Sequence, residues 1–162
     1  MRADQEALGV RFARERLSQQ RVSLVPKAGS RLMRVCGLLL RAVGNRSFVE
    51  RCWTTLGRTI YYPASVVDPL AHPVVLEHEL VHVRQWERWG VLMWISYLLL
   101  PLPIGLCWFR FRWEREAYLV ELAHAVDRER ELTRIVDALW FGYGFCWPRP
   151  WMRRWFEAAG AR

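Results

Sequence analysis

The sequence predicts a single-domain, mainly helical α+β protein with one short β-sheet. Its 162 residues give room for one domain with a real core, and 52% of them are hydrophobic. Apolar residues recur at helical spacing over residues 31–43, and Gly44-Asn45 ends this predicted helix. Over residues 53–63, β-branched and aromatic residues predict a strand that ends at its proline. Residues 1–29 are polar, so we assign them to an N-terminal extension and residues 30–162 to the domain.

Residues 78–82 read His-Glu-Leu-Val-His, which is the one motif of the chain that indicates a specific chemistry. Four residues apart on a helix, His78 and His82 lie on one face and can bind one metal ion together. Glu79 lies roughly 100° around the helix, where it can reach the open side of the metal without being a ligand. Zinc lowers the pKa of bound water to about 7, and a nearby glutamate can accept its proton during attack on an amide carbonyl. The motif therefore predicts one Zn²⁺ per chain, with Glu79 as the general base.

The sequence around the motif favours a buried helix. Residues 74–76, 80, 81 and 83 are apolar, Pro73 is tolerated in a first helical turn, and Gly90 provides a stop. The competing interpretation is an amphipathic helix whose two histidines are core residues with satisfied hydrogen bonds.

A catalytic zinc site needs a third protein ligand and an open position. The turn after His82 does not supply that ligand, because Trp86 stands four residues further on. The best acidic cluster lies in residues 112–118, Arg-Trp-Glu-Arg-Glu-Ala-Tyr, which contain Glu114 and Glu116.

With these two motifs, the sequence resembles the small glutamate-type zincins, the gluzincins, over about residues 48–150. That family carries a Glu-x-x-Ala motif on a second helix behind the His-Glu-x-x-His helix. Matched residue by residue, Ala117 takes the alanine position, Glu114 becomes the third zinc ligand, and Glu116 is the alternative ligand if the helix is rotated. The family's frequent aspartate after the alanine is Tyr118 here.

The resemblance implies a minimal zincin-like domain, with its short sheet beside the metal-binding helix, that hydrolyses peptide or protein substrates. It also implies that the strand predicted at residues 53–63 faces an extended substrate, which would add to the sheet by main-chain pairing. A strand with only a structural role fits the same residues equally well.

Four further residues are candidates for supporting roles. Glu121 lies two turns beyond Glu114 and can orient a zinc-bound histidine through its second ring nitrogen, although an exposed glutamate fits the same position. By residue type, three side chains could donate to the developing oxyanion, and each fits a structural role as well: Tyr118, His124 and Tyr143.

Residues 91–109, between the two motifs, carry no charge and are long enough for a transmembrane helix. A full crossing would place His82 and Glu114 on opposite sides of a hydrocarbon core about 30 Å thick, so they could not share a metal. Pro101 and Pro103 also interrupt the helix. We therefore predict a hydrophobic helical hairpin that packs in the protein core or dips into one leaflet, and no full transmembrane span.

Composition limits the partners and the compartment. The ten tryptophans, several beside arginines, suit contact with a membrane surface, but they also suit a large core rimmed by arginines. The net charge of +8 comes from scattered arginines without a nucleic-acid-binding motif, so a nucleic acid partner is not expected. The four cysteines are widely spaced, and residues 1–20 do not resemble a secretory signal. These features indicate a reducing, cytoplasmic location, either free or at a membrane surface.

The function predicted from the sequence is that of a zinc-dependent metallopeptidase. Two alternatives remain: a zinc-binding module without turnover, and a membrane-surface interaction module that keeps the zincin fold.

Overall fold

The computed structural model describes residues 2–42, 48–99, 108–142 and 147–160. They are mainly helical and include one three-stranded sheet, which confirms the predicted mainly helical α+β class. The chain forms two compact units, Met1–Val83 and Arg84–Arg162, and the single domain at residues 30–162 stays a prediction. The boundary between the units lies inside one continuous helix, Pro73–Trp89.

The first unit surrounds the sheet with helices. Its elements are α1 (Arg2–Gln19), β1 (Ser23–Pro26), α2 (Arg31–Ala42), α3 (Phe48–Arg51), β2 (Thr54–Leu56), β3 (Thr59–Tyr62) and the greater part of α4 (Pro73–Trp89). The strand order is β1-β3-β2, with β1 parallel and β2 antiparallel to β3. Short 3₁₀ turns at Lys27–Gly29 and Pro69–Ala71 precede α2 and α4.

The single strand predicted at residues 53–63 is instead a β-hairpin. Its strands β2 and β3 are joined by a two-residue turn, Gly57 and Arg58, in which Gly57 has a φ of 61°. Glycine reaches this left-handed conformation without a steric penalty, so the chain reverses direction there. The second strand ends just before Pro63, as the sequence predicts.

Residues 1–29, predicted as a polar N-terminal extension, contain a helix and a strand that pack within the first unit. Ala13 and Leu17 of α1 are buried in one hydrophobic cluster with Ile60 of β3 and with Leu76 and Leu80 of α4. β1 supplies an edge strand of the sheet. The cluster fixes α4 against the sheet, because apolar residues at i and i+4 face the same side of a helix.

The described elements of the second unit are all helical. Gly90, with a φ of 53°, ends α4, and α5 (Val91–Leu99), α6 (Trp108–Ala123), α7 (Arg128–Asp137) and α8 (Arg149–Ala159) follow, with a π-helical turn at Ala138–Gly142 after α7. Asp127 caps α7 by accepting a hydrogen bond from the Arg130 backbone N–H. The core of this unit comes from α6, α7, α8 and the π-helical turn and includes Phe111, Leu132, Ile135, Leu139, Met152 and Phe156.

The first arm of the predicted hydrophobic hairpin is α5, which packs against α6. The Trp113 indole N–H of α6 donates to the Ser96 hydroxyl of α5 at 2.9 Å. The turn of the hairpin, with Pro101 and Pro103, lies outside the described residues. Among the residues that are described, no helix combines the length and the apolar character needed to cross a bilayer.

Candidate metal centre

The His-Glu-Leu-Val-His motif lies within α4, as predicted. His78 and His82 are both buried, their ring centroids are 5.1 Å apart, and the ring planes meet at 71°. The two imidazoles are therefore neighbours on the side of α4 that is shielded from solvent. The motif's Leu80 lies in the hydrophobic core of the first unit, which anchors the helix between the two histidines.

Glu79 is buried as well, and the sheet supplies its hydrogen-bond donor. The Thr55 hydroxyl of β2 donates to Oε2 of Glu79 at 2.6 Å. A buried carboxylate needs such a donor, because it has lost its hydration. The short sheet therefore lies beside the motif helix, and its strand β2 holds the carboxylate of Glu79. The sequence gives no sign of this role for Thr55, since nothing in a strand's residue pattern shows which helix the strand will face.

Glu114, the predicted third ligand, lies on α6 and is only 2% exposed. Glutamate is rarely buried to this extent unless it is paired or bound to a metal. His78, His82 and Glu114 each offer one ligand atom, and these atoms all lie within 4.8 Å of one another. Within the part of the chain that the structure describes, this is the one group of three or more histidine, cysteine or acidic residues that could hold a metal ion.

The chemistry of this donor set fits zinc. Two imidazole nitrogens and one carboxylate oxygen are a common three-ligand set for a catalytic zinc ion, and they leave a fourth position open. The three candidate ligand atoms, all within 4.8 Å of one another, could be shared by one ion.

Glu116, the predicted alternative ligand, is not part of this group. Its Oε2 accepts a hydrogen bond from Nε2 of Gln85 at 3.0 Å, and its Oε1 is paired with Arg112. Although burial raises the pKa of Glu116, the hydrogen bonds from Gln85 and Arg112 outweigh it and hold this pKa below its ordinary value. Glu116 thus has partners other than the two histidines, whereas Glu114 belongs to the group that could hold a metal ion.

Gln85 is a residue of the site that the sequence analysis missed. It is buried on α4, three residues after His82, and its Nε2 also donates to the backbone carbonyl of Trp113 at 2.9 Å. Trp113 directly precedes Glu114. Gln85 therefore ties the end of the motif helix to the turn of α6 that carries the third candidate ligand. A contact between residues 28 positions apart has no signature in a local sequence pattern.

The other candidate residues are placed as follows. Tyr118 is buried in the core of the second unit, and Glu121 is ion-paired with Arg134 of α7. His124 is exposed after the end of α6, where its Nδ1 is 2.9 Å from the Val120 carbonyl of its own helix. Tyr143 lies outside the described residues.

Lys27, the only lysine of the chain, is fully buried, which the sequence did not predict. Its Nζ donates to the Phe48 carbonyl at 3.0 Å and lies 3.6 Å from the centroid of the Phe48 ring. Burial lowers the pKa of Lys27 from 10.5 to about 8, although the charges of Cys52, Glu79 and Cys36 act in the opposite direction. The candidate base Glu79 therefore lies within electrostatic range of a buried amine.

No protein-family model, curated protein or solved structure matches this chain. The resemblance to gluzincins stays a prediction that rests on the two motifs.

Proposed function

We propose that the protein is a zinc-dependent metallopeptidase of the gluzincin type that hydrolyses peptide bonds. The observation that carries the proposal is the buried group of His78, His82 and Glu114, with ligand atoms within 4.8 Å of one another. These three residues would hold one Zn²⁺ per chain. When bound at such a site, zinc acidifies water and polarises the carbonyl of the scissile bond.

Glu79 acts as the general base in this proposal. Thr55 holds its Oε2, so Oε1 is the oxygen that accepts the proton of the attacking water and passes it to the leaving amine. Fixing one oxygen restricts rotation of the carboxylate and keeps the other in a defined direction. Because Thr55 belongs to β2, the same strand would position both the base and the substrate.

An extended segment of a peptide or protein is the proposed substrate. β2 lies at one edge of the sheet, since the strand order is β1-β3-β2. An edge strand has unpaired backbone groups to which an extended peptide can add by main-chain hydrogen bonds. The hydrogen bond from Thr55 to Glu79 places this edge strand next to the motif helix, which supports the assignment.

Measuring bound zinc in purified protein tests the ligand set. We expect about one zinc ion per chain in the wild type and in Glu116→Ala, and strong loss of zinc in Glu114→Ala. Glu116→Ala is the matched control, because it removes an acidic side chain from the same helix. If folded wild-type protein binds no zinc after incubation with excess zinc, the proposed metal centre is contradicted.

Hydrolysis is tested with zinc-loaded protein and a broad peptide library. The wild type should cleave members of the library, and Glu79→Gln should retain zinc while losing activity by several orders of magnitude. If both zinc-loaded proteins leave the library untouched, the proposal of a peptidase fails and the protein is a zinc-binding module without turnover.

A further inference from the structure

One side of α2 is apolar and exposed. Four side chains on it are more than half exposed: Leu32 at 53%, Val35 at 54%, Leu38 at 68% and Leu39 at 66%. With 100° between successive residues, these four side chains fall on one side of the helix. Single exposed leucines are common on protein surfaces, whereas a contiguous apolar face usually indicates a binding surface.

The orientation of α2 is fixed by its other side. Met33 and Gly37 are buried, and Gly37 lies so close to α3 that an added Cβ would stand 2.5 Å from Cγ2 of Val49. A larger residue could not occupy this position without displacing the helix. The helix therefore cannot turn its leucines inwards, and the apolar face remains exposed in the first unit.

The charges of α2 all have the same sign. The helix contains Arg31, Arg34 and Arg41 and no acidic residue, and all three arginines are exposed. None of the three takes part in an ion pair within the described parts of the chain. Arg34 and Arg41 line a shallow groove together with Leu38 and Gly37 of α2 and with residues 48–50, which include Glu50. Cationic side chains thus border the apolar face directly.

We propose that α2 docks on an anionic phospholipid membrane surface, with its leucine face in the interfacial region and its arginines on lipid phosphates. A short helix that combines an apolar face with flanking arginines suits binding in the plane of such an interface. Its 12 residues span about 18 Å, which is enough to lie along the surface and too short to cross it.

Charge favours this partner over a second copy of the chain. In a two-fold symmetric dimer through α2, the same arginine-bordered surface would face itself and bring like charges together. The net charge of +8 opposes that association further. An anionic lipid surface complements both the apolar face and the arginines. This inference goes beyond the proposed peptidase activity and does not depend on zinc.

Co-sedimentation of the full chain with vesicles tests the proposal. The wild type should bind vesicles of phosphatidylcholine mixed with phosphatidylglycerol, bind pure phosphatidylcholine far less, and bind less at high salt. Leu38→Ser/Leu39→Ser should lower the partition coefficient on the order of tenfold, because two exposed leucines no longer enter the interface. Arg34→Gln/Arg41→Gln should lower it by a similar factor through lost attraction to phosphate, again on the order of tenfold.

Matched controls distinguish vesicle binding through α2 from non-specific apolar or electrostatic binding elsewhere on the chain. Val67→Ser/Val126→Ser changes two exposed apolar residues that lie outside α2 and outside the predicted hairpin, and Arg11→Gln/Arg14→Gln removes two exposed arginines from α1. Both control variants should bind within about twofold of the wild type. Folding of each variant is checked by circular dichroism, and zinc content should be unchanged.

Three outcomes would overturn the proposal. The first is a wild type that stays in the supernatant with anionic vesicles. The second is equal loss of binding in the α2 variants and their controls. The third is a wild-type dimer in light scattering that Leu38→Ser/Leu39→Ser converts to monomer, which would assign the face to a second copy of the chain.

Discussion

At the scale of single residues, Thr55 determines how the carboxylate of Glu79 is held. Thr55→Val keeps the shape of the side chain but leaves Oε2 of Glu79 without this buried donor. We expect the variant to lower the free energy of unfolding by about 1–3 kcal/mol, as for other lost hydrogen bonds to a buried charged group. Denaturant titration at neutral pH measures this change. In the proposed peptidase, kcat should also fall, while zinc stays bound.

Thr54→Val is the control for this prediction. Thr54 lies on the same strand, but its hydroxyl donates to the carbonyl of the preceding residue, Trp53, at 2.7 Å. Its loss should cost less than about 0.5 kcal/mol, as for most substitutions away from a buried network. Equal stability losses in the two variants would show that the hydroxyl of Thr55 has no special role.

Local spacing in the sequence predicts only part of the candidate site. The i, i+4 spacing of His78 and His82 follows from helix geometry, and the family resemblance supplies Glu114. Thr55 and Gln85 reach their partners over 24 and 28 residues, so their roles depend on how the elements pack. A sequence pattern that identifies a helix or a strand does not specify which side chains of distant elements meet.

At the scale of elements, Gln85 couples the end of α4 to the start of α6. Gln85→Ala removes its hydrogen bonds to the Trp113 carbonyl and to Glu116, so the turn that presents Glu114 loses a support. We expect zinc affinity to fall on the order of 10–100-fold, the usual effect of removing a group that orients a ligand. Competition with a chromophoric chelator measures this affinity. Gln19→Ala, at an exposed glutamine at the end of α1, should bind zinc like the wild type.

Gln85→Ala with wild-type zinc affinity would show that Glu114 is positioned without this glutamine. A loss of affinity accompanied by unfolding would say nothing specific about the ligand, so the free energy of unfolding of each variant is measured in parallel. The prediction requires a drop in affinity in a variant that is still folded.

An element can be predicted from the sequence when its signal is local, and less well when it depends on tertiary contacts. α2 and α4 carry apolar residues at helical spacing, and the structure confirms that both segments are α-helices. The sequence predicts one strand where β2 and β3 form a hairpin, because the residue pattern does not show that Gly57 adopts a turn conformation. α1 has a mostly polar composition, yet its Ala13 and Leu17 are buried in one cluster with Ile60 of the sheet and Leu76 of α4. Its integration depends on tertiary contacts that a polar composition conceals.

At the scale of the whole molecule, one buried amine makes stability depend on pH. Lys27 has a pKa of about 8 in the folded chain against 10.5 for an ordinary lysine, mainly because burial disfavours its charge. Below pH 8 the amine is protonated in both states and the cost of burying its charge is constant. Between about pH 8 and 10.5 the unfolded chain binds more protons, so the free energy of unfolding gains a contribution that rises with pH.

Lys27→Met isolates this contribution, because methionine fills similar space without a titratable group. Cys36, Cys52 and Glu79, whose charges act on Lys27, remain in both proteins. Urea titrations at a series of pH values should show the wild type gaining stability relative to Lys27→Met from about pH 8 to 10.5, and a constant difference below pH 8. A difference that does not change across this range would mean that Lys27 titrates normally and that its amine reaches water in the folded chain.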